Sequence, residues 1–91
     1  MVAIGTNDLC AELGCPGDFR HPRVRRLHEE AIAACARAGK PLAIGGIGDA
    51  AYAADLVRFG AAPFLMTAID TDLFLAAARE RVRAALDSLG T

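Results

Sequence analysis

The sequence predicts an α/β fold made of three consecutive βα units with parallel strands. Three short apolar runs, near residues 2–5, 42–45 and 64–69, each lead through small or turn-forming residues (Gly5, Gly45-Gly46, Ala68) into a helical segment. Strands that alternate with helices pair in parallel through right-handed crossovers, so the three strand ends lie on one rim. The last run, from Phe64 to Ile69, has few charges and no alternation, as expected of a strand covered on both faces.

Taken in order, Val2-Ala3-Ile4-Gly5 is a short strand that turns through glycine. It delivers a carboxylate, Asp8, to the start of one or two helical turns ending near Leu13. Gly14-Cys15-Pro16-Gly17-Asp18 forms a loop. His21-Pro22 opens a helix near residues 22–38, with proline at the first position, where its missing N–H costs nothing. Val24, Leu27, Ala31, Cys35 and Ala38 give that helix one apolar face. Gly39 closes it as a left-handed cap, and Pro41 follows.

After the second strand, Asp49 caps a helix near residues 50–59, which Gly60 ends. Asp70 or Thr71 caps the last helix, near residues 72–89. Its apolar positions Leu75, Ala78, Val82, Ala85, Leu86 and Leu89 form a long stripe. Such a stripe more often packs on its own sheet, and it can also seat against another subunit.

Ninety-one residues make one small domain, 1–91, with a modest core. The apolar fraction is 54%, but 20 residues are alanine, so much of it is helix surface and close packing. No apolar run approaches the roughly 20 residues of a membrane helix. No secretory leader follows Met1, which points to the cytoplasm. The net charge of −1 argues against a nucleic-acid partner. The densest basic cluster, Arg20, Arg23, Arg25 and Arg26, reads as a solvated helix start.

Cys10, Cys15 and Cys35 lack the spacing of a zinc or redox site and read as reduced thiols. His21 and His28 stand about two helical turns apart, too far to share a metal, and read as structural. Three parallel strands by themselves leave two open edges, so the chain is expected to self-associate as a homo-oligomer. A complete eight-unit (β/α)8 TIM barrel takes about 250 residues. The length here matches the last three units of such a barrel.

Ile4-Gly5-Thr6-Asn7-Asp8-Leu9-Cys10, Gly14, Pro16-Gly17, His21-Pro22-Arg23-Val24 and Ala38-Gly39-Lys40, with the later Phe59-Gly60-Ala61 and Ile69-Asp70-Thr71, form an ordered series of motifs. This series resembles the HpcH/HpaI aldolase/citrate lyase family, and within it the metal-dependent 2-oxo acid aldolases. The resemblance covers the whole chain but only the carboxyl-terminal third of the family's barrel. It implies that Asp8 stands at the place of an aspartate ligand to a divalent metal (magnesium, manganese or cobalt). It also implies that the Gly5-Thr6-Asn7-Asp8 loop receives the carboxylate of pyruvate or another 2-oxo acid through the N–H groups of Asn7 and Asp8. Gly45, at the end of the next strand, would line the site. An aldehyde is the second substrate in the parent enzymes.

The chemistry suits these roles, because a hard dication prefers oxygen ligands and stabilises the enolate of a 2-oxo acid. In the family, the second acidic ligand, a substrate-orienting arginine and a proton-transferring histidine come from earlier strands that have no counterpart among these residues. The family's glycine near the end of the last strand stands here as Ala68. The expectation is therefore a lyase portion with weak or absent metal binding by itself, and no catalytic residue of its own. The alternative reading is a non-catalytic remnant or fragment that folds by self-association.

Overall fold

The computed structural model describes residues 1–66 and 69–90. A parallel sheet in the order β1 (Val2–Gly5), β2 (Leu42–Gly45), β3 (Leu65–Met66) organises the chain. The helices are α1 (Thr6–Glu12), α2 (Pro22–Arg37), α3 (Ala50–Phe59) and α4 (Asp70–Ser88). The expected small α/β architecture with parallel strands is present. The final run pairs only over Leu65–Met66, a shorter ladder than residues 64–69. Thr67 and Ala68, and with them the reading of Ala68 at the strand end, lie outside the described residues.

β2 is the central strand and all four of its residues are buried, so its side chains are apolar or absent on both faces. Ile44 and Leu42 join Ile32 of α2 and Ala53 and Leu56 of α3 in one core, which Ile47 and Ala61 extend. Ile4, Phe19, Ala31, Cys35 and Tyr52 pack on its margin. β1 stays open on its outer edge, where Val2 is 43% exposed. Past the ends of α2 and α3 the chain is tied to the sheet by backbone bonds. Val2 N–H donates to Pro41 O at 2.9 Å, and Ala62 N–H donates to Leu42 O at 2.8 Å.

The helix starts follow local chemistry, with two revisions. Pro22 takes the first position of α2, and the His21 ring caps it by accepting the Arg23 N–H at Nδ1, 3.1 Å away. Asp49 caps α3 as expected, its carboxylate accepting the Tyr52 N–H at 3.0 Å. α4 differs. Its cap residue is Ile69, whose aliphatic side chain has no hydrogen-bond acceptor, and neither Asp70 nor Thr71 occupies the cap position. The Asp70 carboxylate instead accepts the adjacent Thr71 N–H at 2.9 Å inside the first turn. α1 begins at Thr6, two residues earlier than Asp8, which makes Asp8 its third residue.

α4 also departs from the commoner packing of an apolar stripe. None of its residues is buried; Phe74 is 82% exposed and Val82 60%. The stripe is there but does not lie on the chain's own sheet, and the molecule is elongated, 58 × 27 × 19 Å. No helix among the described residues is long and apolar enough to cross a membrane.

Stability thus rests on the β2–α2–α3 core. Leu56→Ala, at a side chain 1% exposed, is expected to cost about 2–5 kcal/mol in urea unfolding. Leu73→Ala, at a position 61% exposed, is expected to stay within about 0.5 kcal/mol of the parent chain.

Candidate functional site

The site grows from the carboxyl ends of β1 and β2. Their parallel register pairs Gly5 with Gly45, so the two strand ends stand side by side. Gly5 keeps an extended backbone (φ −87°, ψ 104°) and serves as the residue before α1. Thr6, Asn7 and Asp8 therefore form the first turn of α1, whose N–H groups have no helical partner of their own. Asn7 and Asp8 are exposed, while Thr6 is buried. The structure brings all the sequence-derived residues, Gly5, Thr6, Asn7, Asp8 and Gly45, to one rim.

Asp8 folds back over that rim. Its Oδ2 would lie 3.2 Å from a Cβ built on Gly5, so a side chain at Gly5 would push against the carboxylate. Gly45 is buried within the ladder. The glycine that approaches α1 is its neighbour, Gly46, at φ +80°. A Cβ there would stand 3.2 Å from the Asn7 backbone nitrogen and 3.4 Å from both Asn7 Nδ2 and Thr6 Cβ. Gly46 thus leaves space beside the Asn7 N–H that any other residue would fill. The double glycine was the signal: the first ends the strand and the second must turn the chain.

A second contributor is His28 of α2. The ring is fully buried, and its Nε2 shares a hydrogen bond of 3.2 Å with the equally buried Thr6 hydroxyl. The other ring nitrogen, Nδ1, has no partner among the described residues. Burial pushes the His28 pKa below the ordinary imidazole value, and the nearby Arg25 cation adds to the shift. His28 is thus held neutral at pH 7 and anchors the start of α1 to α2. Sequence reading placed it near the apolar stripe as a structural residue, which agrees, but gave no hint of Thr6. Below Asp8, Cys10 is 1% exposed; burial pushes its thiol pKa up, with Cys15 and Asp18 adding to the effect.

Two of the four arginines in the cluster, Arg20 and Arg25, are paired with carboxylates. Arg20 pairs with Asp49, and Arg25 reaches Glu29 at 3.3 Å and Asp55 at 2.8 Å. Both guanidinium groups lie over Tyr52, at 5.1 and 5.6 Å from the ring centroid. These partly exposed contacts tie the loop before α2, α2 and α3 together at modest energy. Asp49 keeps a depressed pKa, mainly from the Tyr52 backbone N–H and then from Arg20.

The donor set is thin for a metal. Among the described residues no three His, Cys, Asp or Glu side chains converge to hold one. Asp8 offers a carboxylate at the rim, but the chain's own described residues do not complete a coordination sphere around it.

Two outcomes follow from this geometry. Gly46→Ala is expected to cost about 1–2 kcal/mol, since a left-handed backbone is strained for alanine, and to move the Asn7 amide resonance. For His28, the unfolded chain binds more protons than the folded one below the free-imidazole value of 6.5. Stability is therefore fully present above that pH and falls as pH drops beneath it. Urea unfolding at pH 7.5 and 5.5 should show a larger acid loss in the parent chain than in His28→Leu, and equal losses would refute the assignment.

No protein-family model and no curated protein sequence matches the chain. Solved structures do. An HpcH/HpaI aldolase/citrate lyase family protein from Burkholderia cenocepacia superposes with a TM-score of 0.77 at 31% identity, over 91% of this chain and 32% of that one. An HpcH/HpaI aldolase from Desulfitobacterium hafniense superposes with a TM-score of 0.70 at 26% identity, over 97% of this chain and 32% of that one. The chain is thus a relative of the HpcH/HpaI aldolase/citrate lyase family and spans about a third of the length of the members it matches.

Proposed function

We propose that the chain is the carboxyl-terminal portion of a divalent-metal-dependent lyase that makes or breaks a carbon–carbon bond beside a 2-oxo acid such as pyruvate. The observation that carries this reading is the placement of Asp8. Its carboxylate stands at the carboxyl end of a parallel strand, beside the close approach of Gly46 to Asn7, in a chain that superposes on two family members. In this reading the strands correspond to the last part of a (β/α)8 barrel. Asp8 supplies one oxygen ligand to magnesium, manganese or cobalt, and the Asn7 and Asp8 N–H groups meet the substrate carboxylate. Gly5, Thr6 and Gly45 shape the same rim.

The metal, when bound, would supply charge stabilisation for the enolate. The residues described here contribute binding and orientation only. A single carboxylate plus water holds such an ion weakly, so the reading includes inactivity of the chain by itself. The remaining ligands and the proton-transfer groups would come from the rest of the barrel. With pyruvate, an aldehyde and added magnesium or manganese, the chain is expected to form no aldol product. Turnover abolished by Asp8→Ala would contradict that part of the reading.

The second reading, a non-catalytic remnant that folds by self-association, draws on the exposed face of α4 and the open edge of β1. Both readings share one expectation: the chain is a homo-oligomer, since Leu73, Phe74 and Val82 leave apolar area in water. Sedimentation at dilute concentration should find a dimer or larger. A well-behaved monomer would argue against it.

A further inference from the structure

α1 ends in a turn that sets two thiols side by side. Leu13 is its C-cap, and Gly14 follows in the left-handed conformation at φ +76°. Cys15 N–H donates to Cys10 O at 2.9 Å, and Gly14 N–H donates to Ala11 O at 3.1 Å. This double bond pattern is the Schellman turn, in which the side chains at the positions of Cys10 and Cys15 meet. With standard backbone dimensions, the Cys15–Cys10 bond keeps the two Cα atoms within about 6.8 Å, inside the separation a disulfide can span.

We propose that Cys10 and Cys15 form a reversible disulfide, a redox-responsive clasp at the end of the helix whose first turn carries Thr6, Asn7 and Asp8. The oxidant is a small-molecule disulfide. Cys15, free and partly exposed, is the thiol such a molecule can reach; Cys10 is sealed at 1% exposure. The Cys15 thiolate attacks one sulfur of the oxidant, and the other half leaves as a thiolate. The Cys10 thiolate then attacks the Cys15 sulfur of the mixed disulfide and expels the second half. Two protein thiols are oxidised, one disulfide is reduced to two thiols, and the two protons pass to the leaving thiolates.

The chain contains its own control. α2 closes with the same turn, Lys40 N–H to Cys35 O at 2.9 Å and Gly39 N–H to Ala36 O at 3.1 Å. There the residue opposite the cysteine is a lysine, so Cys35 has no thiol neighbour in its turn.

The test is to incubate the chain with oxidised and reduced glutathione at graded ratios, block free thiols by alkylation, and map the tryptic peptides by mass. The 1–20 peptide, which holds both Cys10 and Cys15, should lose two hydrogen atoms and resist alkylation at oxidising ratios. The peptide with Cys35 should remain alkylated. Reduction with dithiothreitol should reverse the closure. Cys15→Ser, with its fold checked by far-ultraviolet circular dichroism, should abolish it. Alkylation of both thiols at every ratio, a persistent glutathione adduct on Cys15, or pairing with Cys35 would each overturn the proposal.

Discussion

The buried contact between Thr6 and His28 is what the candidate site depends on. Thr6 is the first residue of α1, and a helix of seven residues has little intrinsic stability in water. Its position must come from tertiary contacts. The hydroxyl bound to a fully buried imidazole on α2 fixes one side of the turn, and the close pass of Gly46 fixes the other. Between them the exposed residues Asn7 and Asp8 are presented on a backbone held in place from beneath. The arrangement has a cost, because His28 Nδ1 is buried without a partner among the described residues. Neutrality of the ring keeps that cost to a lost hydrogen bond rather than a buried charge.

The same logic separates the two ends of the molecule. β2, α2 and α3 bury a continuous set of aliphatic side chains, and the arginine pairs of Arg20 and Arg25 lace the loop before α2, α2 and α3 across the surface of that unit. α4 carries an apolar stripe of its own, but none of its residues is buried. An exposed apolar face of this kind is what an interaction surface presents. The relatives it resembles are about three times longer.

Much of this was legible in the residues themselves. Proline at the start of α2, Asp49 before α3 and the glycines after both helices are local signals, and local hydrogen bonding decides them. The strand ends and the Asp8 loop were legible for the same reason, since a glycine followed by a polar turn leaves few backbone options. Three features were not. The start of α1 shifted to Thr6 because its first turn is set by His28, a residue 22 positions away that no periodicity connects. Gly46 rather than Gly45 makes the close approach, because Gly45 is committed to the β ladder. The apolar stripe of α4 was evident, but periodicity tells which face is greasy, not what covers it.

The role proposed for the rim at Asp8 is to bind a divalent cation, however weakly in the chain by itself. Paramagnetic broadening by manganese(II) reads weak sites directly. Titrated into the isotopically labelled chain, the ion should broaden the amide signals of Gly5, Thr6, Asn7, Asp8 and Leu9 first, and Asp8→Asn should remove the effect. Broadening that centres on Glu12, Glu29 or Glu30, or that survives Asp8→Asn unchanged, would contradict the account.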